Sequence, residues 1–145
     1  MVKILIKKLS SKVKLPSYKT DGSSGMDLMA FIDKPISIMP QTSKLIPTGL
    51  FIAIPENTEV QIRPRSGLAA KNNISVLNSP GTIDSDYRGE LKVILYNHGN
   101  NEFFVKNEDR IAQMVLVPVI KATFEEVNDL PETIRGEGGF GSTGK

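Results

Sequence analysis

No apolar pattern in this chain runs far before a proline, a glycine or an asparagine cuts it. Nine prolines and twelve glycines are spread through 145 residues. Proline removes a backbone donor and glycine loses the most entropy in a helix, so a long helix has little room. What lies between the breaks alternates with a period of two. Val2, Ile4 and Ile6 alternate with Lys3, Leu5 and Lys7, and Ile36-Ser37-Ile38 and Val60-Gln61-Ile62 repeat the pattern on a smaller scale, as half-buried strands do. Runs rich in β-branched and aromatic residues, Leu50 to Ile54, Leu91 to Tyr96, Glu102 to Val105, Ile111 to Ile120 and Ala122 to Val127, read as further strands. Pro40, Pro47-Thr48-Gly49, Pro55-Glu56-Asn57 and Asn97-His98-Gly99-Asn100 supply the turns. One short helix is predicted, capped by Ser66, continued by Gly67 to Lys71 and stopped by Asn72-Asn73. Antiparallel strands need only tight turns to connect, so the expected fold is all-β: a sandwich, jelly roll or barrel of many short strands.

The length suits one domain and hence one site at most. A formal charge of +2, from 18 basic and 16 acidic residues, argues against nucleic acid or membrane held by charge alone, so an anion must be caught locally. There is no cysteine, which fits a reducing compartment and makes the cytoplasm the default expectation. His98 is the only histidine, too few for a zinc site of nitrogen and sulfur ligands within one chain, and it reads as an exposed turn residue. The N-terminal apolar run is far shorter than a secretory core or a membrane span.

Residues 1–134 read as the β domain and 135–145 as a flexible arm. The arm holds five glycines and one large apolar side chain, Phe140, and cannot form a core. Gly139 to Lys145 imitates the opening of a Walker A loop, but the serine or threonine and the helix that should follow are missing. What the arm does offer is Arg135, Gly141, Ser142 and Thr143, with many backbone amides, around one aromatic ring.

Four inner segments carry chemical potential. Pro64-Arg65-Ser66-Gly67 sets an arginine and a hydroxyl at a helix mouth, where unpaired amides and the helix dipole favour an anion, although taken alone an ordinary capped helix with a solvated arginine is the commoner case. Asn78 to Glu90 holds acids and Tyr87 around two glycine turns. There Gly81 would let backbone amides approach a planar base, and a neighbouring carboxylate could take a proton from water; a plain surface hairpin would look similar. Asp27 stands inside an apolar strand and needs a partner, either a lysine or arginine or a hydrated magnesium. Gln113 is inserted among the residues of another strand.

The order and spacing of Ser24-Gly25-Met26-Asp27-Leu28, Pro64-Arg65-Ser66-Gly67-Leu68-Ala69, Gly81-Thr82-Ile83-Asp84-Ser85-Asp86-Tyr87-Arg88-Gly89, Arg110-Ile111-Ala112-Gln113 and Arg135 to Gly144 resemble the five motifs of the trimeric dUTP diphosphatases (dUTPases). Ser24 stands where that family commonly has alanine. The resemblance implies a jelly roll, or distorted β-barrel, assembled as a homotrimer with active sites at subunit interfaces and the arm closing over a neighbour's site. It implies hydrolysis of dUTP to dUMP and pyrophosphate with Mg2+.

In that reaction Asp84 would be the general base, Gln113 would hold phosphate and water, and Asp27 would meet the magnesium through water. Arg65, Ser66 and Gly67 would bind the phosphate chain and steady the leaving oxygen, while Arg135, Gly141, Ser142 and Thr143 would bind the terminal phosphate. Asn78, Gly81, Thr82 and Ile83 would read uracil, Tyr87 would pack beneath the deoxyribose, and Phe140 would stack on the base. The related dCTP deaminases share the fold, but the complete arm is the diphosphatase pattern. A trimer of the same fold could instead serve as a nucleotide-gated regulatory module; such a module should have lost Asp84 or the arm, and both are present.

Overall fold

The computed structural model describes residues 2–139. Their strands are β1 (Leu5–Lys8), β2 (Met26–Met29), β3 (Ile36–Ile38), β4 (Ser43–Ala53), β5 (Thr58–Arg63), β6 (Ile74–Val76), β7 (Gly81–Ile83), β8 (Glu90–Asn97), β9 (Phe103–Val105) and β10 (Arg110–Pro118), with one helix, α1 (Ser66–Asn72). Two four-stranded sheets, ordered β1-β4-β8-β6 and β2-β10-β5-β7, and a small β3-β9 pair account for all of them. Every pairing is antiparallel, so the predicted all-β architecture of short strands with a single short helix is the one observed.

Period-two patterning builds the core. Along β8 the residues Leu91, Val93 and Leu95 point inward and Lys92, Ile94 and Tyr96 outward. Ile46, Leu50 and Ile52 of β4 join them from the same sheet, and Leu28, Val60, Ile62, Ile111 and Met114 meet them from the other. Two inner faces thus share one core, as in a sandwich. Its buried polar groups are satisfied: Asn97 donates to the carbonyls of Ile38 and Asn101, both at 2.9 Å, and accepts from the Gly99 amide at 2.9 Å.

Three local expectations need correction. Pro47-Thr48-Gly49 is not a turn but an irregularity inside the 11-residue β4, whose register with β8 shifts between Pro47 and Phe51. The buried Thr48 hydroxyl donates to the Leu91 carbonyl at 2.6 Å and accepts from the Leu50 amide at 3.3 Å, and Gly49 takes φ +69°; proline is tolerated at such a bulge. The cap of α1 is Arg65, not Ser66. Arg65 keeps extended backbone (φ −94°, ψ 127°) while its carbonyl accepts from Ala69 at 3.1 Å, and no side chain closes the cap. Asn73 stops the helix, as expected, in the left-handed conformation. Ala122 to Val127 form no strand: beyond Val119 the described chain pairs with no neighbouring strand, and Phe124 is fully exposed. Apolar patterning there found no sheet edge to join.

No helix of the described residues is long and apolar enough to cross a membrane.

Candidate active site

The middle of the second sheet decides where the site lies. β10 runs between β2 and β5, and Gln113 is in register with Asp27 on one side and Arg63 on the other. Pro64 cannot donate to the ladder, so β5 ends at Arg63 and the chain turns over Gln113 into α1. Three segments far apart in sequence therefore meet at one end of the sheet.

Asp27 is the centre of that meeting. Its Oδ1 accepts from Arg65 Nε at 3.0 Å and its Oδ2 from Arg110 Nη1 at 3.3 Å, with 16% of its side chain exposed. Of the partners proposed for this acid, arginine is the one found. Arg65 Nη1 also donates to the Arg110 carbonyl at 3.2 Å, which ties both guanidinium groups into one unit. Two positive groups on one carboxylate leave the trio with a net charge of +1. Beside it opens a cleft of ≈ 410 Å³ whose lining includes Arg65, Phe104, Lys106, Asp109 and Arg110.

Gln113 is half-buried and donates from Nε2 to the Pro64 carbonyl at 3.0 Å. Ser66 stands exposed at the first position of α1. Gly67 follows, and a β-carbon there would meet no heavy atom within 4 Å, so the first helical turn presents bare backbone to open space. The sequence reading missed Arg110 as a site residue. Arg110 and Gln113 are three apart and would lie on opposite faces of a regular strand. The register shift between Arg110 and Ala112 inserts an extra residue, Ile111, and brings both side chains to one face.

The other predicted residues lie elsewhere. Gly81, Thr82 and Ile83 form β7, the sheet's outer strand, paired with Ile62, Gln61 and Val60. Gly81 is buried, and a β-carbon on it would stand 3.1 Å from Asn78 Nδ2, so Asn78 flanks the strand's start. Asp84 follows β7, exposed, on a cleft of ≈ 530 Å³ that it shares with Ser85, Asp86 and Glu59. Its carbonyl accepts from the Tyr87 amide at 3.2 Å, and the Tyr87 hydroxyl donates to the Glu90 carbonyl at 3.1 Å. Asp84 sits level with the start of β5, whereas Asp27 and Gln113 sit level with its end. Three strand spacings across and four residues along give a separation on the order of 20 Å within one chain. Arg135 is exposed and donates to its own neighbour, the Gly138 carbonyl, at 2.7 Å. Phe140, Gly141, Ser142 and Thr143 lie outside the described residues.

The donor set suits magnesium in one way only. Asp27 gives both oxygens to guanidinium groups, and among the described residues no three His, Asp, Glu or Cys side chains gather to hold a metal ion. A cation that keeps its water shell and is carried by the phosphates of its ligand, with few protein carboxylates, is the kind this donor set allows. A protein-built inner-sphere cage does not.

Fold and site together define an all-β protein with a cationic, hydroxyl-bearing recess suited to an anionic ligand. Sequence comparison narrows the class. The dUTPase family model matches residues 11–144, and the chain belongs to that family. It is 55% identical over 144 residues to the deoxyuridine 5'-triphosphate nucleotidohydrolase of Nautilia profundicola, covering 99% of this chain and all of that protein. It is 56% identical over 137 residues to the one of Chlamydia pneumoniae, with 94% of each chain covered. Among solved structures, the Staphylococcus bacteriophage 80alpha dUTPase with dUPNHPP superposes with a TM-score of 0.84 over 99% of each chain at 25% identity. A mutant dUTPase from phage phi11 of S. aureus gives 0.80 at 19% identity, over 90% of this chain and 99% of that one. The second of these likenesses speaks to the fold alone.

Proposed function

We propose that this protein hydrolyses dUTP to dUMP and pyrophosphate, keeping uracil out of DNA and supplying dUMP for thymidylate synthesis, and that it does so as a homotrimer. The observation that carries this reading is the convergence of Asp27, Arg65, Ser66 and Gln113, drawn from three distant segments of a chain that belongs to the dUTPase family. The split between that cluster and Asp84 supports the trimer. A carboxylate on the order of 20 Å from the phosphate recess of its own chain can serve only the recess of another copy, and the arm from 135 to 145 would close the same site.

The chemistry then follows from charge. Asp84 takes a proton from water as the water oxygen bonds to the α-phosphorus; the bond from that phosphorus to the bridging oxygen breaks, and pyrophosphate leaves with the electron pair. Arg65, Ser66 and the bare backbone at Gly67 face the oxygen on which charge grows, and fixed donors there lower the barrier. Gln113 holds the phosphate and the attacking water, and Arg135, Gly141, Ser142 and Thr143 would bind the terminal phosphate. Asp27 would meet the water shell of a magnesium ion, which when bound would supply charge neutralisation across the phosphates.

Base and sugar are read by β7 and the turn after it. An outer strand leaves one row of backbone donors and acceptors unpaired, and from Asn78 to Ile83 these can hydrogen-bond uracil with no room for a 5-methyl group. Tyr87 would lie beneath the deoxyribose, where a 2′-hydroxyl would clash, and Phe140 would stack on the base. The test is pyrophosphate release from dUTP, dCTP, dTTP and UTP in magnesium. Strong preference for dUTP is expected; inertness toward dUTP would overturn the proposal.

A further inference from the structure

We infer that Gly89 determines sugar specificity, by leaving room for the Tyr87 ring. This rests on the reading above that Tyr87 lies beneath the deoxyribose. Gly89 does not need to be glycine for its backbone, since its φ is outside the left-handed region that Gly49 occupies. A β-carbon built on it would nevertheless overlap Tyr87, and the three nearest atoms, Oη, Cζ and Cε2, all belong to the outer end of that ring. The ring therefore lies across the bare Cα of Gly89.

Little else seats it. The hydroxyl donates to the Glu90 carbonyl at 3.1 Å and the backbone amide to the Asp84 carbonyl at 3.2 Å. Tyr87 itself is 43% exposed, so its other face is open to a ligand. A methyl group at 89 pushes the ring from its seat and strips the Glu90 bond, while the backbone bond to Asp84 can stay. Rejection of a 2′-hydroxyl by contact requires the ring at van der Waals distance from the sugar. A displaced ring either leaves that edge unguarded or crowds both sugars alike, and in each case discrimination falls.

The experiment compares kcat/KM for dUTP and UTP in the full chain with magnesium, for the parent, Gly89→Ala, Tyr87→Ala and the double variant. Gly89→Ala should lower the dUTP to UTP ratio by about tenfold, the scale on which a pocket senses one small group. Tyr87→Ala should lower it at least as far, and the double variant no further than Tyr87→Ala alone. An unchanged ratio in Gly89→Ala overturns the inference, as does a double variant in which the two effects multiply. If Tyr87→Ala keeps the parent ratio, the sugar-reading role of Tyr87 is wrong and Gly89 loses its role with it. Should Gly89→Ala fail to fold, a double variant that folds supports the steric relation, and failure of both overturns it.

Discussion

The side-chain amide of Gln113 lies against the bare Cα of Gly25: its Oε1 stands 2.5 Å, and its Cδ 3.3 Å, from where a β-carbon at position 25 would sit. On its other side Nε2 donates to the Pro64 carbonyl at 3.0 Å. A glycine two residues before Asp27 and a proline one residue before Arg65 thus hold between them the side chain assigned to the phosphate and the attacking water. Gly25→Ala should push that amide off its place. A misplacement of about 1 Å can cost on the order of 100-fold in rate, so kcat should fall by about 10- to 100-fold with a small change in KM. Steady-state kinetics in a double-mutant cycle with Gln113→Ala checks it: if Gly25 acts through Gln113, the second substitution adds little to the first.

Asp27 carries two guanidinium groups, and removing its charge leaves them facing each other. For partly exposed groups the loss is discounted for solvent screening, and Asp27→Asn should cost about 1–2 kcal/mol. Thermal unfolding at low and at high salt reads it. The gap between parent and variant should narrow as salt rises, and a variant as stable as the parent at low salt would remove the trio from the stability of the site.

Asp84→Asn keeps the size and polarity of the side chain but cannot accept the proton. The expected result is a fall in kcat by about 10²- to 10⁴-fold, with dUTP binding by calorimetry nearly unchanged because the groups that grip base and phosphate are untouched. Full activity in this variant would place the base elsewhere.

What the amino-acid sequence makes legible is mostly what a single strand or a single cap determines. Period two placed β1, β3 and β5, runs of β-branched and aromatic residues placed β8, β9 and β10, and Asp27 and Gln113 were conspicuous as polar residues in apolar runs. Features set by pairing between strands were not legible. Arg110 reaches Asp27 only because a bulge at Ile111 changes the face of the strand. Pro47 to Gly49 has turn chemistry but lies within a strand, since β8 and the Thr48 hydroxyl hold it there. Ala122 to Val127 has strand composition and no partner in its own chain. Ser66 looked like the cap, yet the extended backbone of Arg65, whose side chain is engaged by Asp27, moved that position one residue back. β6, Ile74-Ser75-Val76, carries the same three-residue alternation as β3 and went unread beside the Asn72-Asn73 helix stop. The importance of Gly25 lay in a neighbour 88 positions away.

The separation of Asp84 from Arg65 within one chain makes a complementation experiment decisive. If each site takes its base from one copy and its phosphate recess from another, Arg65→Ala and Asp84→Asn chains, each nearly inert alone, should restore one another after being unfolded and refolded together. A given site is whole when the copy lending Asp84 is the Arg65→Ala chain and the copy lending Arg65 is the Asp84→Asn chain. With equal amounts and random assembly that holds for about one site in four, so the mixture should recover about a quarter of parent activity, while the two mixed after folding should recover it only as fast as subunits exchange. The assembly should run at about 48 kDa by light scattering, three times the 15.9 kDa of the chain. A site built within one chain would leave the refolded mixture as inactive as its components, because no pairing of subunits could then unite an intact Asp84 with an intact Arg65.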